Sequence, residues 1–198
     1  FKWPAYITKM SANKWLGDKT KQGFYKKTKT DSGKSEILAL NLKTLEYQPQ
    51  SKTKFASLEQ TKTVDDLKQR LKILIKGTDK AGEFYRKSFY GMFQYVSERI
   101  PEISDQLYKI DHAMQAGFGW ELGPFEMWDA LGVKETVADM EKTGYKPAQW
   151  VYDMLTMGLE NFWSKQNGFI VYHNVDTKTY KYVSGAEKIV SLQKYVDD

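Results

Sequence analysis

Two histidines, His112 and His173, are the side chains in this sequence best suited to moving a proton near neutral pH, and no cysteine accompanies them. Their placement argues against a catalytic pair. His112 directly follows Asp111, and neighbours i and i+1 on a helix point to different sides, so this carboxylate does not orient this imidazole. His112 therefore reads as a helix-surface residue, and His173 as an exposed residue at the turn end of a hairpin. Neither belongs to the i, i+4 pair that holds zinc on a helix, and the lack of cysteine removes thiolate ligands, disulfides and thiol nucleophiles together. Glu126 and Asp129 lie three apart on one helical face with Glu121 near, an acidic cluster of the kind that holds a hard cation or does carboxylate chemistry. Complementing a helix dipole from the first turn is the simpler role, and it accounts for Glu126 without a ligand.

Two glycine-bearing segments mimic phosphate loops and fail on spacing. Gly117-Phe118-Gly119-Trp120-Glu121-Leu122-Gly123 has three residues before its last glycine where a dinucleotide fingerprint has two, and it follows a helical pattern where a strand is required. Gly17-Asp18-Lys19-Thr20 lacks the upstream glycine of a phosphate-binding P-loop. From residue chemistry alone, the chain reads as a helical domain without a complete catalytic, cofactor-binding or metal-ligating set.

The elements that must position these residues follow from periodicity. Tyr6, Met10 and Trp15 predict a short helix over 5–16, stopped by Gly17. Thr63 with Asp66 resembles a capping box ahead of Val64, Leu67, Leu71 and Leu74, a helix that closes at Gly77. A long helix over 81–100 places Ala81, Tyr85, Ser88, Met92 and Val96 on one stripe, with Phe84 and Phe89 beside it, and ends at Pro101. Ile103, Leu107, Ile110 and Met114 mark the next helix, capped at Gly117, and the two are expected to form an antiparallel hairpin. Pro124 opens a helix that turns Trp128 and Leu131 inward and closes at Gly132. Helices over about 134–144, burying Val137 and Met140, and from Pro147 to Gly158, burying Trp150, Val151 and Met154, complete the core. Residues 169–172 and 180–183 predict a strand, turn and strand, with a last short helix from Ala186.

Composition limits the function classes further. The 198 residues are 41% hydrophobic and 15% aromatic, ample for a sizeable core, and no apolar run approaches the ~20 residues of a membrane helix. Position 1 is Phe without a signal-peptide pattern after it, which is expected of a trimmed fragment; a cytoplasmic location is expected with it. The net charge of +5 is unevenly placed. Residues 1–35 hold nine Lys (2, 9, 14, 19, 21, 26, 27, 29 and 34) against Asp18 and Asp31, a charge of +7, while the remainder sums to −2. Such a segment can meet phosphates on nucleic acid or on a cofactor tail, although lysine-rich stretches are commonly solvated surface.

Two segments together resemble the C-terminal helical domain of the 3-hydroxyacyl-CoA dehydrogenases. Trp15-Leu16-Gly17-Asp18-Lys19-Thr20-Lys21-Gln22-Gly23-Phe24-Tyr25 is similar to the Leu-Gly-x-Lys-Thr-Gly-x-Gly-Phe-Tyr signature that ends the domain's first copy. Ile110-Asp111-His112-Ala113-Met114, continuing through Gly117-Phe118-Gly119-Trp120 to Gly123-Pro124-Phe125-Glu126-Met127-Trp128-Asp129 and Gly132, resembles the middle of a further copy. The matched motif positions are Gly17, Lys19, Gly23, Phe24, Tyr25, Asp111, Gly119, Gly123, Pro124, Phe125 and Asp129, read as structural. Two positions depart from the family pattern. Lys21 replaces a Gly in the first signature, and the helix start Gly-Phe-x-x-Asn-Arg appears as Gly82-Glu83-Phe84-Tyr85-Arg86-Lys87, so that Arg86 stands where an active-site-facing Asn would be.

The resemblance implies a mainly α fold, a helical bundle of the 6-phosphogluconate dehydrogenase C-terminal-like type with small β-hairpins. It implies NAD-dependent oxidation of 3-hydroxyacyl-CoA to 3-ketoacyl-CoA in fatty-acid β-oxidation by a longer protein, whose Rossmann domain binds NAD and contributes a His–Glu pair; neither is expected within this chain. Residues 1–27 are then the tail of a first helical copy, 28–62 a Lys-rich linker with a hairpin, 63–168 a second copy, and 169–198 a hairpin and helix leading toward an enoyl-CoA hydratase part. Acyl-CoA is the implied substrate, and the helices imply a homodimer or pseudo-dimer. A different class stays open: a helical binding module whose basic N-terminal segment contacts nucleic acid or a protein partner.

Overall fold

A computed structural model describes residues 2–51 and 53–185, which fall into two compact units, Phe1–Thr53 and Lys54–Asp198. Eight α-helices and two three-stranded antiparallel sheets make up the described residues, the mainly helical class with small hairpins that the sequence implies. The helix expected from Ala186 lies outside the described residues.

In the first unit α1 (Ala5–Ala12) buries Met10 and ends before the expected Trp15, because Lys14 turns into the left-handed region at φ 58°. Trp15 packs instead on Tyr47, ring centroids 5.5 Å apart. Most of the stretch 28–62 is regular structure, a sheet larger than the expected hairpin followed by a short helix. Strands β1 (Tyr25–Lys29), β2 (Ser35–Leu40) and β3 (Tyr47–Pro49) form a meander with Lys27 opposite Ile37 and Leu40 opposite Tyr47, and the boundary between units falls after Thr53. β1 carries three lysines and little apolar alternation, so pairing with β2 rather than its own propensity makes it a strand.

The second unit begins with α2 (Ala56–Thr61) and α3 (Leu67–Lys76). Asp66, not Thr63, caps α3, accepting Gln69 N–H at 2.6 Å. Asp79 caps α4 (Lys80–Glu98) by accepting Gly82 N–H at 2.9 Å, and it also accepts the N–H and hydroxyl of Ser57, which ties α2 to the same corner. The buried side of α4 runs through Tyr90, Phe93, Val96 and Ser97, whereas Ser88 and Phe84 face out. The helix is rotated from the expected stripe because Phe93 stacks flat on Trp128, 4.7 Å away.

Helix α5 (Leu107–Phe118) starts after the exposed Ile103 and is closed by Gly119 at φ 66°, two residues beyond the expected Gly117. α4 and α5 are not a hairpin; both pack on α6 (Pro124–Leu131), and an apolar groove of about 540 Å³ lined by Met92, Tyr95, Ile110 and Met114 opens between them. α7 (Val133–Lys142) and α8 (Gln149–Thr156) bury Val137, Met140, Val151 and Met154 as expected. A second meander follows: β4 (Trp163–Gln166), β5 (Phe169–Asn174) and β6 (Thr179–Tyr182), with Trp163 opposite Tyr172 and Tyr172 opposite Lys181. β4 has no counterpart in the sequence reading. The Asn167-Gly168 pair that joins it to β5, both at positive φ, is the turn signal that marks it.

Candidate functional site

The strongest family motif converges on one buried carboxylate. Helix α6 begins at Gly123, which has no side chain to cap it, and Asp111 from the neighbouring α5 supplies the missing acceptor: Oδ1 accepts Phe125 N–H at 2.9 Å and Oδ2 accepts Glu126 N–H at 3.1 Å. This cap in trans requires close approach. A Cβ on Gly123 would lie 2.3–2.4 Å from Asp111 Cβ, Cα and Cγ, so glycine is obligatory there. Pro124 fills the first helical position, where no N–H is needed, and Glu126 Oε2 reaches back to accept Gly123 N–H at 2.7 Å.

Trp163 of β4 completes the lock. Its Nε1–H donates to Asp111 Oδ2 at 2.8 Å, and its backbone N–H donates to Asp129 Oδ2 at 2.8 Å, while Phe162 N–H donates to Asp129 Oδ1 at 2.8 Å. The two aspartates thus tie the start of β4 to α5 and α6. Phe162, fully buried, inserts among Phe125, Trp128 and Trp150 with centroids 5.0, 5.1 and 5.6 Å away. Sequence reasoning missed Phe162 and Trp163 because neither sits in a helical period.

Beside this lock lies an open cleft of about 690 Å³ whose lining includes Lys68, His112, Glu126, Asp129 and Trp163. Burial pushes the carboxyls of Asp111 and Asp129 up to about 7 against the opposing pull of their N–H donors, and neighbouring carboxylates add to the rise. Both oxygens of each are already occupied by N–H groups, so their geometry is that of positioning groups. His112 is exposed on α5, as expected, its ring 6.1 Å from that of Trp163. His173 contradicts its expected exposure: it is 2% exposed, stacked on Trp150, with Nδ1 unpartnered, and desolvation holds it down at about 4. The reason is that β5 is covered on both faces from Val171 to Asn174, with the His173 ring packed against Trp150 of α8 and Tyr180 of β6. Among the described residues no group of three or more acidic or histidine side chains could hold a metal ion.

The remaining motif residues form a separate feature in the first unit. Gly17 (φ 99°) bridges Gln22, and a Cβ on Gly23 would lie 2.9 Å from Gly17 Cα, so both glycines serve one tight crossing. Thr20 Oγ1 accepts Leu16 N–H at 2.9 Å at the 3₁₀ turn Asp18–Thr20 that carries Lys19. Lys21 stands in the left-handed region at φ 61°, a conformation that suits the Gly it replaces. Phe24 and Tyr25 are both exposed. Arg86, standing where the family has an Asn, donates through Nη1 to Ile75 O at 2.8 Å and to Gly77 O, and so caps the end of α3.

No family model and no solved structure matches the chain. Among curated proteins, one from Bacillus subtilis (strain 168), named "Probable 3-hydroxyacyl-CoA dehydrogenase", is 38% identical over 193 residues, which is 98% of this chain and 24% of that protein. Proteins of Rickettsia felis and Rickettsia prowazekii, each named as a fatty acid oxidation complex trifunctional enzyme, are 27% identical over 121 and 119 residues, 61% and 60% of this chain and 15% of their own lengths. The chain therefore spans about a quarter or less of the relatives it matches. Over nearly its whole length it is similar to a segment of that Bacillus subtilis protein, whose name is that of the family its motifs resemble.

Proposed function

We propose that this chain is the helical, substrate-side segment of an NAD-dependent enzyme that oxidises 3-hydroxyacyl-CoA to 3-ketoacyl-CoA in fatty-acid β-oxidation. The observation that carries the reading is the similarity along 193 residues to a protein named as a probable 3-hydroxyacyl-CoA dehydrogenase, in a chain whose Asp111-to-Asp129 segment resembles that family's motif. In this reading Gly17, Lys19, Gly23, Phe24, Tyr25, Asp111, Gly119, Gly123, Pro124, Phe125 and Asp129 are scaffold residues. Asp111 and Asp129 hold α5, α6 and β4 as one body, and NAD and the proton-transfer pair belong to parts of the longer protein outside this chain. The Arg86 side chain, spent on capping α3, supports a structural rather than catalytic role for residues 63–168 as a second helical copy. Contact between helical copies, as a homodimer or pseudo-dimer, and a cytoplasmic location belong to the same reading.

The test compares this chain with the longest reading frame that contains it, following NADH absorbance with acetoacetyl-CoA. Turnover in the longer protein alone is expected. Micromolar NAD affinity in this chain by itself would overturn the assignment of roles, and no turnover in either would favour a binding module whose basic unit meets nucleic acid or a protein partner.

A further inference from the structure

We propose that the outward face of the β1–β2–β3 sheet binds the phosphorylated adenosine end of a CoA ester. The first unit, Phe1–Thr53, holds eleven Lys against Asp18, Asp31, Glu36 and Glu46, a charge of +7, while the remainder of the chain is at −2. Antiparallel register sorts part of this charge onto one face: Tyr25, Lys27 and Lys29 of β1 stand opposite Ala39, Ile37 and Ser35 of β2. The opposite face carries Leu38, Leu40 and Tyr47 into the unit's small core, with Lys26 over the Tyr47 ring.

The outward face keeps an aromatic ring and an aliphatic side chain in solvent between lysines; Tyr25 is 59% and Ile37 45% exposed. A hollow of about 720 Å³ lies over it, lined by Asp18, Lys21, Tyr25, Lys27, Ile37 and Gln50. That volume falls in the small-ligand range of roughly 300–1,000 Å³. Lys21, Lys27 and Lys29 form no ion pair among the described residues. Lys21 also keeps a side chain at φ 61°, where glycine would be relaxed, and a strained residue held at the rim of a cavity is a pointer to function.

Ring, aliphatic wall and cations in one hollow match a base with more than one phosphate. A purely apolar partner would leave the lysines unmatched. A nucleic-acid strand would meet the Asp18 carboxylate in the lining, which repels a phosphate, and is the competing ligand in the test below. That the nucleotide is the CoA end of the substrate rests on the function proposed above.

The experiment records amide shifts of the full 198-residue chain titrated with CoA, adenosine 3′,5′-bisphosphate, adenosine and a single-stranded oligonucleotide. CoA and the bisphosphate should shift β1, β2 and the 18–21 turn, adenosine should not, and added salt should weaken binding. Lys21→Gly with Lys27→Ala should lower affinity roughly tenfold, and the retained dispersion of the variant's amide spectrum separates loss of binding from unfolding. No shifts with millimolar CoA at low salt, shifts elsewhere in the chain, or preferential binding of the oligonucleotide would each overturn the site. In the longer protein, an unchanged KM for acyl-CoA in the double variant would sink the site while leaving the reaction standing. Binding of CoA without any turnover would do the reverse.

Discussion

Asp111 takes on a task that the motif spreads over several positions: it caps a helix it does not belong to and fixes the indole of Trp163. Asp111→Asn places an amide donor where Oδ2 accepts from Glu126 N–H and Trp163 Nε1–H, and should cost about 3 kcal/mol; urea unfolding at pH 7 measures it, and a loss below about 1 kcal/mol would show that the cap is dispensable. The titrating groups act in opposite directions. Asp111 and Asp129, raised to about 7 by burial, keep protons that the unfolded chain releases from about pH 4 upward, so their contribution is complete below pH 4 and is lost as pH rises to about 7. His173, held near 4 by desolvation, refuses a proton that the unfolded chain accepts below about pH 6.5, so its contribution is present above that pH and lost as pH falls toward 4. His173→Phe removes only the second effect. Its unfolding midpoint should therefore climb more steeply than that of the unaltered chain between about pH 6.5 and 4.5; parallel curves would mean the imidazole is not held neutral.

At the scale of elements, two glycine positions carry opposite expectations. Gly123→Ala forces a methyl into the Asp111 side chain and backbone and should cost roughly 3 kcal/mol by separating α5 from α6. Lys21→Gly removes a left-handed lysine and should raise the stability of the first unit by about 1 kcal/mol, read as a shifted denaturation midpoint. From α3 onward helix existence was legible, because 3.6-residue periodicity and the Gly and Pro boundary signals at 77, 101, 124, 132 and 158 are local; the six-residue α2, too short to show a period, was not. Helix rotation and capping were not. The inward side of α4 is chosen by the Trp128 ring from another element, and the cap of α6 comes from α5, so neither leaves a mark within its own segment. β4 was legible in principle through Asn167-Gly168, but β1 was not, since its lysines carry no strand pattern until β2 pairs with them.

For the whole molecule, the two compact units predict separable stability. Trypsin cutting after Lys54 should release a piece from residue 55 onward that keeps its helical circular dichroism and unfolds cooperatively, since the buried cluster from Leu71 to Tyr172 lies wholly within it; loss of the helical signal on cleavage would show the units to be interdependent. By itself the sequence determined the helical class, most helix cores, the charge segregation and, through Asp111 to Asp129 and Gly17 to Tyr25, the family resemblance that the Bacillus subtilis relative bears out. Those are properties of composition, period and spacing along the chain. Only the tertiary structure decided that Asp111, Asp129 and Trp163 form one lock, that His173 is buried and that α4 and α5 splay apart around a groove. Each of these depends on groups brought together from tens of residues apart, where burial and donor–acceptor geometry, rather than local pattern, set the outcome.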